Sequence, residues 1–178
     1  MNIRWSHTVL RVKDLDEMIS FYCDAFDFQV ADIGEVGPGV RIAFLSGSSS
    51  DHHQIGLLEG RTDDGTNLEH NAFRVDSLAD VLDMHARMDA DERVRGVAPI
   101  THGNAVSVYF ADPEGNGIEI FCDTPWHVEQ PVIAGWDPTM SADEVLADVE
   151  ARFKDSPGFM PMDEYRSQQA AAFGEASS

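Results

Sequence analysis

Three side chains carry the chemistry this sequence offers most directly: His7, His70 and Glu119. His7 lies in RWSHTVLRV and His70 in LEHNAFRV, runs rich in β-branched and aromatic residues that read as strands. Glu119 sits between Ile118 and Ile120 in a further apolar run. Side chains alternate across a strand, so Glu119 points away from both isoleucines. Either that face is solvent, or it is closed and the carboxylate is paired with something positive. A lone strand histidine is more often a satisfied structural residue than a ligand, and Glu119 alone also reads as an outward strand residue. Taken together, two imidazoles and one carboxylate from three strands make the facial triad that suits non-haem Fe(II), with three adjacent positions open.

Those residues need elements to bring them together. Glu119 belongs to AVSVYFADPEGNGIEIFCD, residues 105–123, in which Asp-Pro-Glu-Gly-Asn-Gly separates two apolar runs and predicts a tight antiparallel pair. From the N-terminus the pattern predicts a strand over 4–12. A helix capped by Asp14 follows, with Met18, Ile19, Phe21, Tyr22 and Phe26 as its apolar positions. Strands then come over 28–33, 40–45 and 54–59, turned by Gly34 and by Gly37-Pro38-Gly39. After a polar connector the order repeats: a strand over 68–75, a helix from Ser77, a strand over 93–100, a turn at Thr101-His102-Gly103-Asn104, and the closing pair. Overlaying the halves sets His7-Thr-Val-Leu-Arg-Val on His70-Asn-Ala-Phe-Arg-Val, an offset of 70 − 7 = 63 residues. The repeat places both histidines at equivalent positions, which packing alone does not require.

The predicted fold is therefore α+β: two tandem βαβββ modules, 4–60 and 67–123, in one domain over 1–123, followed by an arm, a helix and a tail over 124–178. Residues 127–138 read as an irregular arm, Ser141 as the cap of a helix through Phe153, and the last stretch as a tail packed on the surface or on another subunit. His85 and His127 read as structural.

Composition narrows the partners. The chain has 178 residues, 32 acidic against 12 basic, and a formal net charge of −20, with only Lys13 and Lys154 as lysines. Such a field repels phosphate backbones and anionic lipid, so nucleic acid and membrane partners are not expected. Cys23 and Cys122 are too few for a disulfide framework, the N-terminus has no apolar signal region, and no apolar run is long enough to span a bilayer. The expectation is a reduced, cytoplasmic protein.

The tandem βαβββ order, the two histidines and YFADPEGNGIEIF together resemble the vicinal oxygen chelate superfamily of glyoxalases, fosfomycin and bleomycin resistance proteins and extradiol dioxygenases. The resemblance covers about residues 4–123. It implies an open, curved mixed β-barrel around a metal held by His7, His70 and Glu119. It also implies a homo-oligomer. The fourth corner, by symmetry with Glu119, falls near His53. Glyoxalases and related epimerases place Gln or Glu ligands there, whereas type I extradiol dioxygenases have a histidine that stays off the iron. Asp-His-His-Gln before an apolar strand is similar to the latter, and their two other active-site positions match His102 and Tyr109.

The resemblance thus implies an Fe(II) enzyme, with Mn(II) as the alternative ion, that inserts O₂ into a catecholic substrate to give a ring-opened semialdehyde. His53, His102 and Tyr109 would be its catalytic residues. Two other classes of the same fold remain: a glyoxalase- or epimerase-type metalloenzyme, and a metal-free drug-binding resistance protein. A fosfomycin-type transferase needs cations for a phosphonate, which a chain with so few lysines and arginines supplies poorly.

Overall fold

The computed structural model describes residues 5–65 and 68–173, so the first four residues, Arg4 among them, Thr66, Asn67 and the last five residues lie outside it. The described chain forms two compact units. The first takes residues up to Glu69 together with Asp112–Asn116, and the second takes His70–Ala111 and Gly117 onward.

In the first unit, strand β1 (Thr8–Val12) leads into helix α1 (Leu15–Phe26). Asp14 caps the helix by accepting the Glu17 N–H, as its short acidic side chain allows. The sheet is completed by β2 (Gln29–Gly37), β3 (Val40–Ser46) and β4 (Ile55–Glu59), in the order β1-β4-β3-β2 with β1 parallel to β4. Gly34 does not turn the chain. It stays inside β2 opposite Ile42, and the reversal comes at Pro38 and Gly39, where Gly39 takes a φ of 71° that L side chains resist. Helix α1 buries Leu15, Met18, Phe21, Tyr22 and Ala25, and it packs on β3 and β4, whose Ala43, Leu45, Ile55 and Leu57 are buried and in register.

The turn Asp112–Asn116 belongs to this unit through its acidic side chains. Glu114 Oε1 accepts the backbone N–H groups of Lys13 (2.6 Å) and Asp14 (2.9 Å), and Arg61 lies against its other oxygen at 3.5 Å, both side chains being buried. Asp112 accepts from Glu114 N, Asn116 N and Nδ2, and the Tyr22 hydroxyl. Burial pushes the Asp112 carboxyl above the ordinary range despite those four donors.

The second unit repeats the plan. Strand β5 (Asn71–Arg74), helix α2 (Leu78–Ala90), β6 (Arg95–Thr101), β7 (Ala105–Ala111) and β8 (Gly117–Asp123) follow in turn, and β5 runs parallel to β8 as β1 does to β4. Ser77 and Asp80 close a capping box at the start of α2. Strands β7 and β8 are antiparallel in unbroken register, and their Val106, Val108, Phe110, Ile118, Ile120 and Cys122 are buried. The predicted strands over 4–12 and 68–75 are too long at their N-terminal ends, so His7 and His70 immediately precede their strands.

The C-terminal region departs most from expectation. The arm is not wholly irregular: β9 (Trp126–His127) pairs with β11 (Met160–Pro161), and β10 (Ala134–Gly135) adds a fifth strand to the sheet beside β6. Helix α3 (Ala142–Phe153) has the expected cap at Ser141. The stretch expected to be a tail is helical over Met162–Phe173 as α4. It lacks an apolar stripe for sequence reading to find, and is docked instead by Tyr165 stacked on His127 (3.7 Å between ring centroids) and by Arg166 on Asp123 (2.9 Å).

Candidate functional site

The second unit gathers four of the six candidate residues. Glu119 in β8 and Tyr109 in β7 are direct register partners, so they share one face of the sheet. Glu119 is only 7% exposed although it is a carboxylate. Buried Ser107, two residues from Tyr109 and therefore on the same face, donates its hydroxyl to Glu119 Oε1 at 2.7 Å. His70 Nε2 lies 3.3 Å from Glu119 Oε2, and His102 Nε2 lies 3.8 Å from Oε1. The rings of His70 and Tyr109 meet edge to face at 5.3 Å. His102 reaches the group from the β6–β7 turn: its Nε2 is 3.0 Å from the Tyr109 hydroxyl and its Nδ1 is 2.6 Å from the Val132 carbonyl oxygen.

A closed carboxylate needs compensation. At 3.3 Å the His70 imidazole and the Glu119 carboxylate are within ion-pair distance of each other. An imidazole nitrogen and a carboxylate oxygen presented together are a donor set that fits a divalent metal ion.

The first unit holds the other two. The His7 and His53 rings meet at 4.3 Å between centroids, tilted by 47°, and the His53 ring centroid also lies 4.7 Å from that of Phe44. Gly56 is covered by Val9, whose Cγ2 a Cβ there would meet at 3.0 Å. Behind His53 runs a polar chain: Asp32 Oδ2 is 2.8 Å from His52 Nε2, and His52 Nδ1 is 2.9 Å from His53 Nδ1. Asp32 accepts, so His52 carries its hydrogen on Nε2. With His52 neutral, its Nδ1 accepts from His53 Nδ1–H, which leaves the His53 Nε2 lone pair exposed as a base. Burial, then the neighbouring His7 and His52, hold His53 below the usual imidazole range.

Within either unit, among the described residues, three or more His, Cys, Asp or Glu side chains do not converge as a metal-binding group. The proposed ligands are accordingly split, His7 in the first unit and His70 with Glu119 in the second. Sequence reading missed Asp32, Ser107 and Val132. Ser107 was within reach, because alternation from Tyr109 puts it on the Glu119 face. Val132 was not, because the arm has no periodicity to fix its position. A separate cavity of about 350 Å³, lined by Arg74, Leu78, Val106, Cys122, Thr124 and Leu146 among others, includes none of the six candidate residues. Burial pushes the Cys122 thiol there up to about 11.

The family model described as Glyoxalase/Bleomycin resistance protein/Dioxygenase superfamily matches residues 4–120. The chain belongs to this superfamily. Among curated relatives, it is 29% identical over 126 residues to biphenyl-2,3-diol 1,2-dioxygenase 2 of Rhodococcus globerulus, covering 67% of this chain and 63% of that protein. It is 30% identical over 120 residues to a probable lactoylglutathione lyase of Synechocystis sp., covering 64% of this chain and 91% of that one. The chain thus spans less than two thirds of the dioxygenase it matches. Among solved structures, the fosfomycin resistance protein FosX of Listeria monocytogenes, complexed with Mn(II) and sulfate, superposes with a TM-score of 0.56 at 23% identity, over 70% of this chain and 95% of that one. That likeness speaks for the fold alone. The superfamily is mixed in chemistry, and its members named here include a dioxygenase and a lyase. Among the described residues, no helix is long and apolar enough to cross a membrane.

Proposed function

We propose that this chain is an extradiol ring-cleaving dioxygenase that takes a catecholic substrate and O₂ to a ring-opened semialdehyde. His7, His70 and Glu119 would hold Fe(II), with Mn(II) as the alternative. When bound, the ion supplies a common point for the aromatic diol and O₂ and a route for electrons between them. The residues of the chain do the rest. Tyr109 and His102, already joined by a hydrogen bond, flank one catecholic oxygen and fix the ring's orientation. His53 takes up a proton at Nε2 and returns it later, with Asp32 and His52 holding the ring in the orientation that presents that nitrogen. Ser107 holds one oxygen of Glu119 and so fixes the rotation of the carboxylate.

The observation that carries this reading is the histidine at the fourth corner. His53 lies against His7, where a glyoxalase-type site would set a Gln or Glu ligand. The neighbouring carboxamide is already engaged, since Gln54 Oε1 accepts the Gly47 N–H at 3.0 Å. The lyase relative, matched over 91% of its length, keeps the glyoxalase-type reading as the competitor.

One experiment separates the two. Protein reconstituted anaerobically with Fe(II) and then exposed to air with catechols should develop a yellow ring-fission chromophore. Zinc- or nickel-dependent consumption of methylglyoxal with a thiol, and no chromophore with iron, would instead establish the competitor.

A further inference from the structure

The arm after the family match ends at residue 120 makes an unexpected number of polar contacts to the candidate site. His102 is the point of attachment. The Val132 carbonyl oxygen lies 2.6 Å from His102 Nδ1, and a carbonyl can only accept. An unprotonated Nδ1 at that distance would set two lone pairs against each other. The neutral ring therefore carries its hydrogen on Nδ1, and Nε2 is a lone pair. That lone pair, 3.0 Å from the Tyr109 hydroxyl, takes the tyrosine's hydrogen.

The carbonyl of Val132 is in turn held in place. Gln130 Oε1 accepts the Val132 N–H at 3.0 Å. Gln130 Nε2 donates to the backbone oxygens of His102 (2.7 Å) and Val128 (3.1 Å) and approaches Asn104 Oδ1 at 3.2 Å. On one side of this clamp, Val128 packs on Gly103, where a Cβ would meet its Cγ2 at 3.0 Å; Gly103 has a φ of 76°. On the other, Ala134 pairs with Thr101, and Trp136 Nε1 donates to Ser107 O at 2.8 Å. The segment 128–136 is thus anchored at both ends around one carbonyl aimed at one imidazole nitrogen.

We infer that Gln130 and the Val132 carbonyl are positioning groups that select the Nδ1–H tautomer of His102 and so set Tyr109 as the donor within the His102–Tyr109 pair. A metal-ligand or substrate contact is not needed for this. Only the pair's part in ring cleavage rests on the function proposed above. With its own hydrogen turned toward His102, the Tyr109 oxygen faces a substrate hydroxyl as an acceptor, and the arm thereby decides which way the pair reads the substrate.

The test uses the full chain, ¹⁵N-labelled, without metal or substrate, and long-range ¹H–¹⁵N correlation of the histidine rings. His102→Gln assigns the signals. Wild type should show His102 as the Nδ1–H tautomer, and Tyr109→Phe should leave that tautomer in place because the arm sets it. Gln130→Ala should lose it for a mixture of both tautomers. Gln130→Glu keeps an acceptor for Val132 N–H but sets a carboxylate against the His102 and Val128 oxygens that Nε2 now serves, so it should lose the tautomer as well. An Nε2–H tautomer in wild type would overturn the inference, as would a tautomer that shifts in Tyr109→Phe but not in either Gln130 variant. Either result is read without turnover, so it stands or falls apart from the catechol assay.

Discussion

The Glu119 carboxylate shows how a single charged side chain is made tolerable inside a sheet. One oxygen accepts from Ser107 and the other faces His70, with hydrophobic neighbours along the strand on the opposite face. Ser107 fixes the carboxylate's rotation, so Ser107→Ala should weaken Fe(II) or Mn(II) binding by roughly 10- to 100-fold, the usual effect of removing a partner that orients a ligand. Anaerobic metal titration of the two proteins measures this; equal affinities would mean that the hydroxyl only fills space. The pairing of Tyr109 with Glu119 was legible beforehand because it follows from alternation and a hairpin of fixed register, whereas His70 was singled out only by the repeat. The His53 corner was legible only as a likeness. The roles of Asp32 and Val132 were not legible at all, since each depends on a tertiary approach that no local pattern encodes.

Among the elements, the helices with sharp caps were read closely. Asp14, Ser77 and Ser141 each begin a helix where a short polar side chain can meet an exposed backbone N–H. Helix α4 was missed because it is held by a stacked ring pair and an ion pair, not by a buried stripe. The start of α1 has a second support that no local pattern announces, the Glu114 side chain on Lys13 N and Asp14 N. Glu114→Ala strands those two donors and removes the partner of buried Arg61. It should cost about 3 kcal/mol in urea unfolding, the low end for breaking a buried ion pair, because Arg61 keeps bonds to Glu114 O and Asp63 O. A loss below about 1 kcal/mol would show that water replaces the carboxylate freely.

For the whole molecule, the dominant quantity is the net charge of −20. Like charges at this density press against the folded state, and salt screens them over a length of about 10 Å at 0.1 M. The thermal midpoint should rise between low salt and roughly 1 M KCl, a concentration at which the screening length is only about 3 Å. A midpoint that is flat or falling would mean that the surface ion pairs, such as Arg41 with Asp16 and Glu59, matter more than the repulsion. The repeated plan was visible in the sequence because it is written twice, with His7 and His70 in equivalent places.

The turn Asp112–Asn116 has a bearing on how the protein is made. All four strands and the helix of the first unit are encoded by residue 59, yet the bond from Glu114 to Lys13 N spans 101 residues. A chain growing from the ribosome must therefore wait, with the first turn of α1 incompletely capped and Arg61 lacking its carboxylate, until the second unit's hairpin has been synthesised. The early half is born as an unfinished fold, and its completion is timed by the late half.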